Sequence, residues 1–323
     1  MRTITVTQML RETLEAELRR DPSVFLMGED IAVYGGAFGV TRGLVETFGP
    51  ERVRNTPISE QAITGCAIGA AVAGMRPVIE FMFMDFITLA VDQLVNFAAK
   101  LYPIYGQRCP LVIRAPVGAG RGYGATHSQS LERLFTGIPG IKIVAPSDAL
   151  DASALLQTAV RDSNPVLFLE HKFLYPMRFE VPDELPEPLP FGRARIRVEG
   201  DDLTIIAWSY MSVLARRASA LLSQKGFSAE VVDLATLNPL DTETLVRSAR
   251  KTGRVIVVEE GPKTGGFAAE IAARIAEEAQ DYLEMPVRRI ASPDLPFPAS
   301  KQLEATCIPT VDQIVEAACE MLE

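Results

Sequence analysis

Ile141-Lys-Ile-Val-Ala145, Ala149 to Arg161 and Val166-Leu-Phe-Leu169 are the consecutive stretches that decide the fold of this sequence. Two short apolar runs flank a segment of helical length, so the reading is strand, helix, strand. Working outward, Leu111-Val-Ile-Arg114 and Val24-Phe-Leu-Met27 read as further buried strands. Ala62 to Ala73 reads as a tightly packed helix. Phe86 to Leu101 reads as another, with Leu89, Val91, Leu94, Val95 and Ala98 inward. Thr5-Val-Thr-Gln8 fits a capping box, after which Met9, Leu10, Leu14 and Leu18 fall on one helical face. Strands alternating with helices of this length imply parallel βαβ units.

Residues 176–190 hold Pro176, Pro182, Pro186, Pro188 and Pro190. Proline removes backbone donors and disfavours helix in the residue before it, so this run reads as an extended, stiff linker. The alternation then restarts with Leu203 to Ala207, Ser212 to Gln224, Ala229 to Val232, Thr242 to Arg250, Val255 to Val258, Phe267 to Ala279, Pro286 to Ile290 and Val311 to Leu322. The expected fold class is α/β, with two doubly wound domains over 1–180 and 193–323 joined by a Pro-rich linker over 181–192.

Composition narrows the function. Acidic residues number 41 against 32 basic ones, for a net charge of −9. Such a surface repels phosphate backbones and argues against nucleic-acid binding. Cys66, Cys109, Cys307 and Cys319 form no C-x-x-C pair, so reduced thiols are expected and a cysteine-based zinc site is not. No apolar run is long enough to span a bilayer, and the N-terminus has no apolar signal core. A cytoplasmic location is expected, or an organelle matrix if a transit peptide is missing.

Gly118-Ala-Gly120-Arg-Gly122-Tyr-Gly124-Ala-Thr-His127 follows a strand, as a phosphate cradle would. Neither the ribose-binding acid of a dinucleotide site nor the Lys-Ser/Thr of a P-loop follows it. A bendable loop presenting His127 is the better reading. His171 sits among charged neighbours and reads as structural. Glu60 begins the small-residue helix, where a first-turn carboxylate is favoured by the helix dipole.

Glu60-Gln-Ala-Ile-Thr-Gly65-Cys66-Ala-Ile-Gly69-Ala70 changes the weight on that residue. It resembles the pyrimidine-side motif of thiamine diphosphate enzymes. Met27-Gly-Glu-Asp30, Tyr34-Gly-Gly-Ala-Phe38, Arg54-Asn-Thr-Pro-Ile-Ser-Glu60, Glu80 to Phe86, Asp92 to Asn96, Ala98-Ala-Lys100 and His127-Ser-Gln129 occur in the expected order. Glu259 to Glu270 resembles the C-terminal domain of the same family. Together these motifs resemble the E1 β subunit of 2-oxo acid dehydrogenase complexes, over essentially the whole chain. The implied fold is a transketolase-like pyrimidine-binding domain followed by a transketolase C-terminal-like domain.

The resemblance implies roles. Glu60 matches the carboxylic acid that shares a proton with N1′ of the aminopyrimidine, through a charge-assisted hydrogen bond favoured by an apolar setting. Phe86 matches the aromatic residue packed on that ring. Ile58 and Met82 match other lining positions, and Glu29 a second carboxylate that orients the site. His127 matches the histidine that faces the substrate, to stabilise an oxyanion or transfer a proton. A potassium ion is implied at Leu111, Ala159, Val160, Asp162 and Asn164. The competing reading of the last of these is an Asp-x-Asn turn ending a helix.

The family's Gly-Asp-Gly…Asn-Asn motif for diphosphate and Mg²⁺ is missing: the chain has Gly200-Asp-Asp202 and no Asn-Asn. The resemblance therefore implies a separate α subunit that holds Mg²⁺ and the diphosphate, in an α2β2 heterotetramer, with a lipoyl-bearing E2 as further partner. The substrate is a small 2-oxo acid or acetoin, and Phe86 rather than tyrosine leans toward pyruvate or acetoin. The other readings are a split transketolase-like subunit, a branched-chain E1 β subunit, a non-catalytic scaffold and a nicotinamide oxidoreductase.

Overall fold

A computed structural model describes residues 1–322. The chain divides into two compact units, Met1–Val117 with Leu134–Phe191, and Gly118–Arg133 with Gly192–Glu323. The sequence reading leaves Gly118–Arg133 inside an uninterrupted first domain. Here that segment groups with the second unit, because its hydrogen-bond partners, described below, are there.

In chain order the first unit runs β1 (Arg2–Thr5), α1 (Val6–Arg20), β2 (Val24–Glu29), α2 (Leu44–Phe48), β3 (Val53–Thr56), α3 (Glu60–Val72) and β4 (Arg76–Glu80). It continues with α4 (Leu101–Tyr105), β5 (Val112–Val117), α5 (Arg133–Thr136), β6 (Lys142–Val144), α6 (Ala149–Arg161), β7 (Val166–His171) and β8 (Arg178–Val181). Six of its strands form a parallel sheet in the order β6-β7-β5-β4-β2-β3. β2, β5 and β7 are buried along their whole length, as apolar runs covered on both faces should be.

Local chemistry sets the helix ends. Thr5 and Gln8 form the expected capping box on α1. Asp148 caps α6 by accepting the Asp151 N–H at 2.9 Å. The α6 bounds are those read from the sequence.

Three expectations meet differences. Met84–Ala90 is a 3₁₀ helix and Gln93–Ala98 a π-helical turn, in place of one α-helix from Phe86 to Leu101. The winding first tightens and then widens, so the α-helical period does not hold and Leu89 ends 58% exposed instead of inward. α3 is packed on one face only, through Ile63, Ala67, Ile68 and Ala71, while Ala62, Cys66, Gly69 and Ala73 are exposed. The Pro-rich run contains β8, which pairs antiparallel with β1.

The second unit holds β9 (Arg195–Val198), β10 (Leu203–Ala207), α7 (Ser209–Gln224), β11 (Ala229–Asp233), β12 (Thr236–Asn238), α8 (Thr242–Thr252) and β13 (Val255–Pro262). Then come α9 (Phe267–Ala279), β14 (Arg288–Ser292), α10 (Lys301–Ala305) and α11 (Val311–Leu322). Its sheet runs β14-β13-β10-β11-β9, parallel except for β9 at the edge. Ile205, Val231, Ile256, Leu214 and Ile314 are among the side chains that fill its core.

Candidate active site

β3, β2 and β4 are neighbours in the parallel sheet, so their carboxyl ends open at one sheet edge. In open α/β sheets that edge is where ligands bind. Glu29 is the last residue of β2, and Glu60 opens α3 directly after the loop that leaves β3. Met82 and Phe86 follow β4. The fold thus brings Glu29, Ile58, Glu60, Met82 and Phe86 to one end of three adjoining strands.

Glu60 is only 4% exposed, yet its carboxylate forms no hydrogen bond among the described residues. Its oxygens are not among the fully buried polar atoms left without a partner, so they stay open at the strand ends, where a ligand can meet them. Glu29 is also buried and accepts the Ser59 N–H at 3.1 Å, holding the entry to α3. Burial raises the proton affinity of Glu29 above the ordinary carboxylate range. The Ser59 N–H opposes that shift, and the neighbouring negative charge of Glu60 adds to it. Phe86 is half-buried and meets Phe83 edge-on at 6.1 Å. Ile58 is 78% exposed.

Behind this edge lies a buried ion cluster that the sequence reading misses. Arg114, 1% exposed, donates to Glu170 at 2.6 and 2.7 Å and also to Glu80. The Tyr175 hydroxyl donates to Glu170 at 2.6 Å. Burial keeps the proton affinity of Glu80 raised even against Arg114, and lifts Tyr175 well above its usual range. Gly36 is required here: its φ is +76°, and a Cβ would sit 2.1 Å from a Glu80 carboxylate oxygen. Phe83 meets Phe38 edge-on at 5.9 Å, and Phe38 stacks on Tyr175 at 4.8 Å, linking Phe86 to the cluster through aromatic contacts. An arginine inside the apolar run Leu111-Val-Ile-Arg114 was the available sequence signal, since a buried arginine needs carboxylates.

The residues implied to hold potassium gather at the end of α6, and protein groups engage them. The carbonyls of Val160 and Asp162 accept Arg76 Nη1, each at 2.9 Å, and the Asp162 carboxylate pairs with Lys142. The Leu111 carbonyl accepts the Val166 N–H at 2.8 Å, and the Ala159 carbonyl accepts the Asp162 N–H at 3.3 Å. Asn164 donates to Asp162 Oδ1 from its backbone at 2.8 Å, which is the Asp-x-Asn turn. Two protein cations thus already serve the Val160 and Asp162 oxygens, and backbone N–H groups serve those of Leu111 and Ala159.

His127 belongs to the second unit, in the Gly118–Arg133 segment. Gly118, Gly120, Gly122 and Gly124 all have positive φ, so the alternate glycines are demanded by the path of the backbone. His127 is half-buried; its N–H donates to the Gly124 carbonyl at 3.2 Å, and Nδ1 lies 2.9 Å from Thr126 Oγ1. Three further carboxylates meet the segment. Glu260 accepts the Ala119 N–H at 2.5 Å, and Glu304 accepts from Gly122 and Ser128. Glu132, on the segment itself, accepts Trp208 Nε1 at 3.3 Å. Burial pushes Glu259 up to about 8, with the charge of Glu132 adding to the effect, although its Oε2 accepts the Phe267 N–H at 2.9 Å. His171 is buried, and its Nδ1 accepts the Phe173 N–H at 3.1 Å, a structural bond.

Comparison with known proteins defines the class first. Residues 2–178 match the family model of the transketolase pyrimidine binding domain, and residues 192–314 that of the transketolase C-terminal domain. A solved split-gene transketolase, described as an inactive β4 tetramer, superposes with a TM-score of 0.80 at 26% identity, covering 99% of this chain and 98% of that one. The pyruvate dehydrogenase E1 component subunit beta of Rickettsia felis is 44% identical over 316 residues, 97% of each chain. The mitochondrial beta-1 subunit of Arabidopsis thaliana is 44% identical over 320 residues, 98% of this chain and 88% of that one. The chain belongs to the E1 β family of 2-oxo acid dehydrogenase complexes. It is a subunit of a thiamine-dependent oxidoreductase.

Proposed function

We propose that this chain is the β half of an α2β2 E1 that decarboxylates pyruvate and passes the acyl group to lipoyl on E2. The observation that carries the reading is Glu60: a largely covered side chain whose carboxylate accepts no hydrogen bond among the described residues and stays open at the ligand-binding edge of a parallel sheet. Pyruvate is favoured because relatives matched over nearly their full length are named for pyruvate dehydrogenase.

Thiamine diphosphate, when bound, supplies the electron sink for the carbanion that decarboxylation leaves. Glu60 holds and exchanges a proton toward the aminopyrimidine N1′, a task for which aspartate is too short and glutamine has no exchangeable acid. Glu29 fixes the start of α3, and so of Glu60, through Ser59. Ile58, Met82 and Phe86 line the ring position and exclude water. His127 serves the substrate side, as proton donor or oxyanion stabiliser. The α subunit holds Mg²⁺ and the diphosphate, since this chain lacks the Asn-Asn of that motif. Exposed Ile58, Leu89, Phe97, Tyr102, Ile104 and Tyr105 on the first unit, with the open small-residue face of α3, support contacts with other chains.

The test is co-expression with the α partner and assay with an artificial electron acceptor. Glu60→Gln lowers turnover by about 10²- to 10⁴-fold while the heterotetramer still forms. Wild-type-like turnover in that variant ends the reading. A substrate panel of pyruvate, acetoin and branched-chain 2-oxo acids on the same pair decides the substrate. Transketolase activity with no lipoyl acylation would favour the split-transketolase reading, which the TM-score of 0.80 keeps in view.

A further inference from the structure

Glu304 is 0% exposed, lies in α10, and pairs with no cation among the described residues. Its carboxylate instead holds two points of one loop. Oε2 accepts the Gly122 N–H at 2.5 Å and Oε1 accepts the Ser128 hydroxyl at 2.8 Å. His127 lies between those points, next to Ser128. The loop is pressed against the approach to α10: Gly122 has a φ of +75°, and a Cβ there would stand 2.8 Å from Lys301 Cγ and 3.1 Å from the Ala299 carbonyl. A buried charge kept without a counter-cation, and spent on two donors of a glycine-rich loop, is organised to fix the shape of that loop.

We infer that Glu304 is a positioning residue for the reaction, one that sets where His127 stands by clamping residues 122–128. This rests on the reading of His127 as the substrate-side group. Gln at 304 preserves the clamp, because its oxygen accepts from Gly122 and its amide donates to the Ser128 hydroxyl, which accepts as readily as it donates. Ala removes both bonds, and Ser128→Ala removes one without changing α10.

The experiment uses the chain reconstituted with its α partner. Glu304→Ala lowers kcat roughly 10- to 100-fold with KM little changed, Glu304→Gln restores most of it, and Ser128→Ala falls between them. In a His127→Ala background Glu304→Ala adds almost nothing, because the two act as one unit. Hydrogen exchange across 120–130 in the full chain is faster in Glu304→Ala and near wild type in Glu304→Gln. Unchanged exchange, an unchanged kcat in both Glu304→Ala and Ser128→Ala, or effects that simply add to that of His127→Ala, overturn the inference. A silent His127→Ala strikes the reading of His127 itself, while the exchange measurement still decides the clamp.

Discussion

Glu60 in the first unit and Glu304 in the second are both buried carboxylates with no cation beside them, and they differ in what meets them. Glu60 has no hydrogen-bond donor among the described residues, whereas Glu304 has two, both from one loop. The Glu60 oxygens are not among the fully buried unpartnered atoms, so they keep an opening through which a group outside this chain can reach them. Glu304 recovers its cost within the fold and spends its bonds on shape. Burial by itself therefore does not identify a reactive acid; the partner set does. The Arg114 cluster is a third case, in which two carboxylates share one guanidinium.

Five measurements sharpen or break that contrast. The largest effect belongs to Arg114→Met, which strands Glu80 and Glu170 without their cation and destabilises the chain by about 3–5 kcal/mol in denaturant unfolding. Next, Glu304→Ala costs about 1–3 kcal/mol by orphaning the Gly122 and Ser128 donors. Glu60→Gln, by contrast, stays within about 0.5 kcal/mol of wild type or gains stability. Equal losses for those two would erase the distinction.

Glu259 supplies a pH test. Its folded proton affinity, at about 8, lies above the ordinary 4.5, so the folded chain holds a proton that the unfolded chain releases. That contribution is complete at acid pH and is lost as pH rises through about 8. The Tm should therefore fall by a few degrees between about pH 6 and about pH 9, and Glu259→Gln should flatten the slope, both read by calorimetry. Ile58→Ala likewise stays within about 0.5 kcal/mol in denaturant unfolding, because the side chain is 78% exposed.

Much of the fold is legible because its signals are local. α6, α9 and α11 have the bounds their periodicity and flanks suggest, and β10 is the apolar run Leu203–Ala207. The 84–98 region is not legible, since a shift from 3₁₀ to π winding leaves no mark that an α-helical period can detect. β8 hides between Pro176 and Pro182, where the prolines bracket a strand without entering it. At the candidate site, Glu29, Ile58, Glu60, Met82 and Phe86 are legible only through the family resemblance, because β3 and β4, the strands that bring four of them to one end of the sheet, are too short and mixed in character to stand out as apolar runs. The partners of the His127 segment are not, because Glu260 and Glu304 lie far along the chain and no periodicity couples them to it.

The excursion of Gly118–Arg133 out of the first unit has a practical consequence for anyone dividing this molecule. A fragment ending at the proline strap would carry that stretch away from the acceptors that shape it: Glu260 for Ala119, Glu304 for Gly122 and Ser128. Chimeras spliced there would inherit a histidine from one parent and its moorings from the other. Recombination between relatives should instead treat the stretch and the C-terminal half as one heritable module, even though the chain writes them apart.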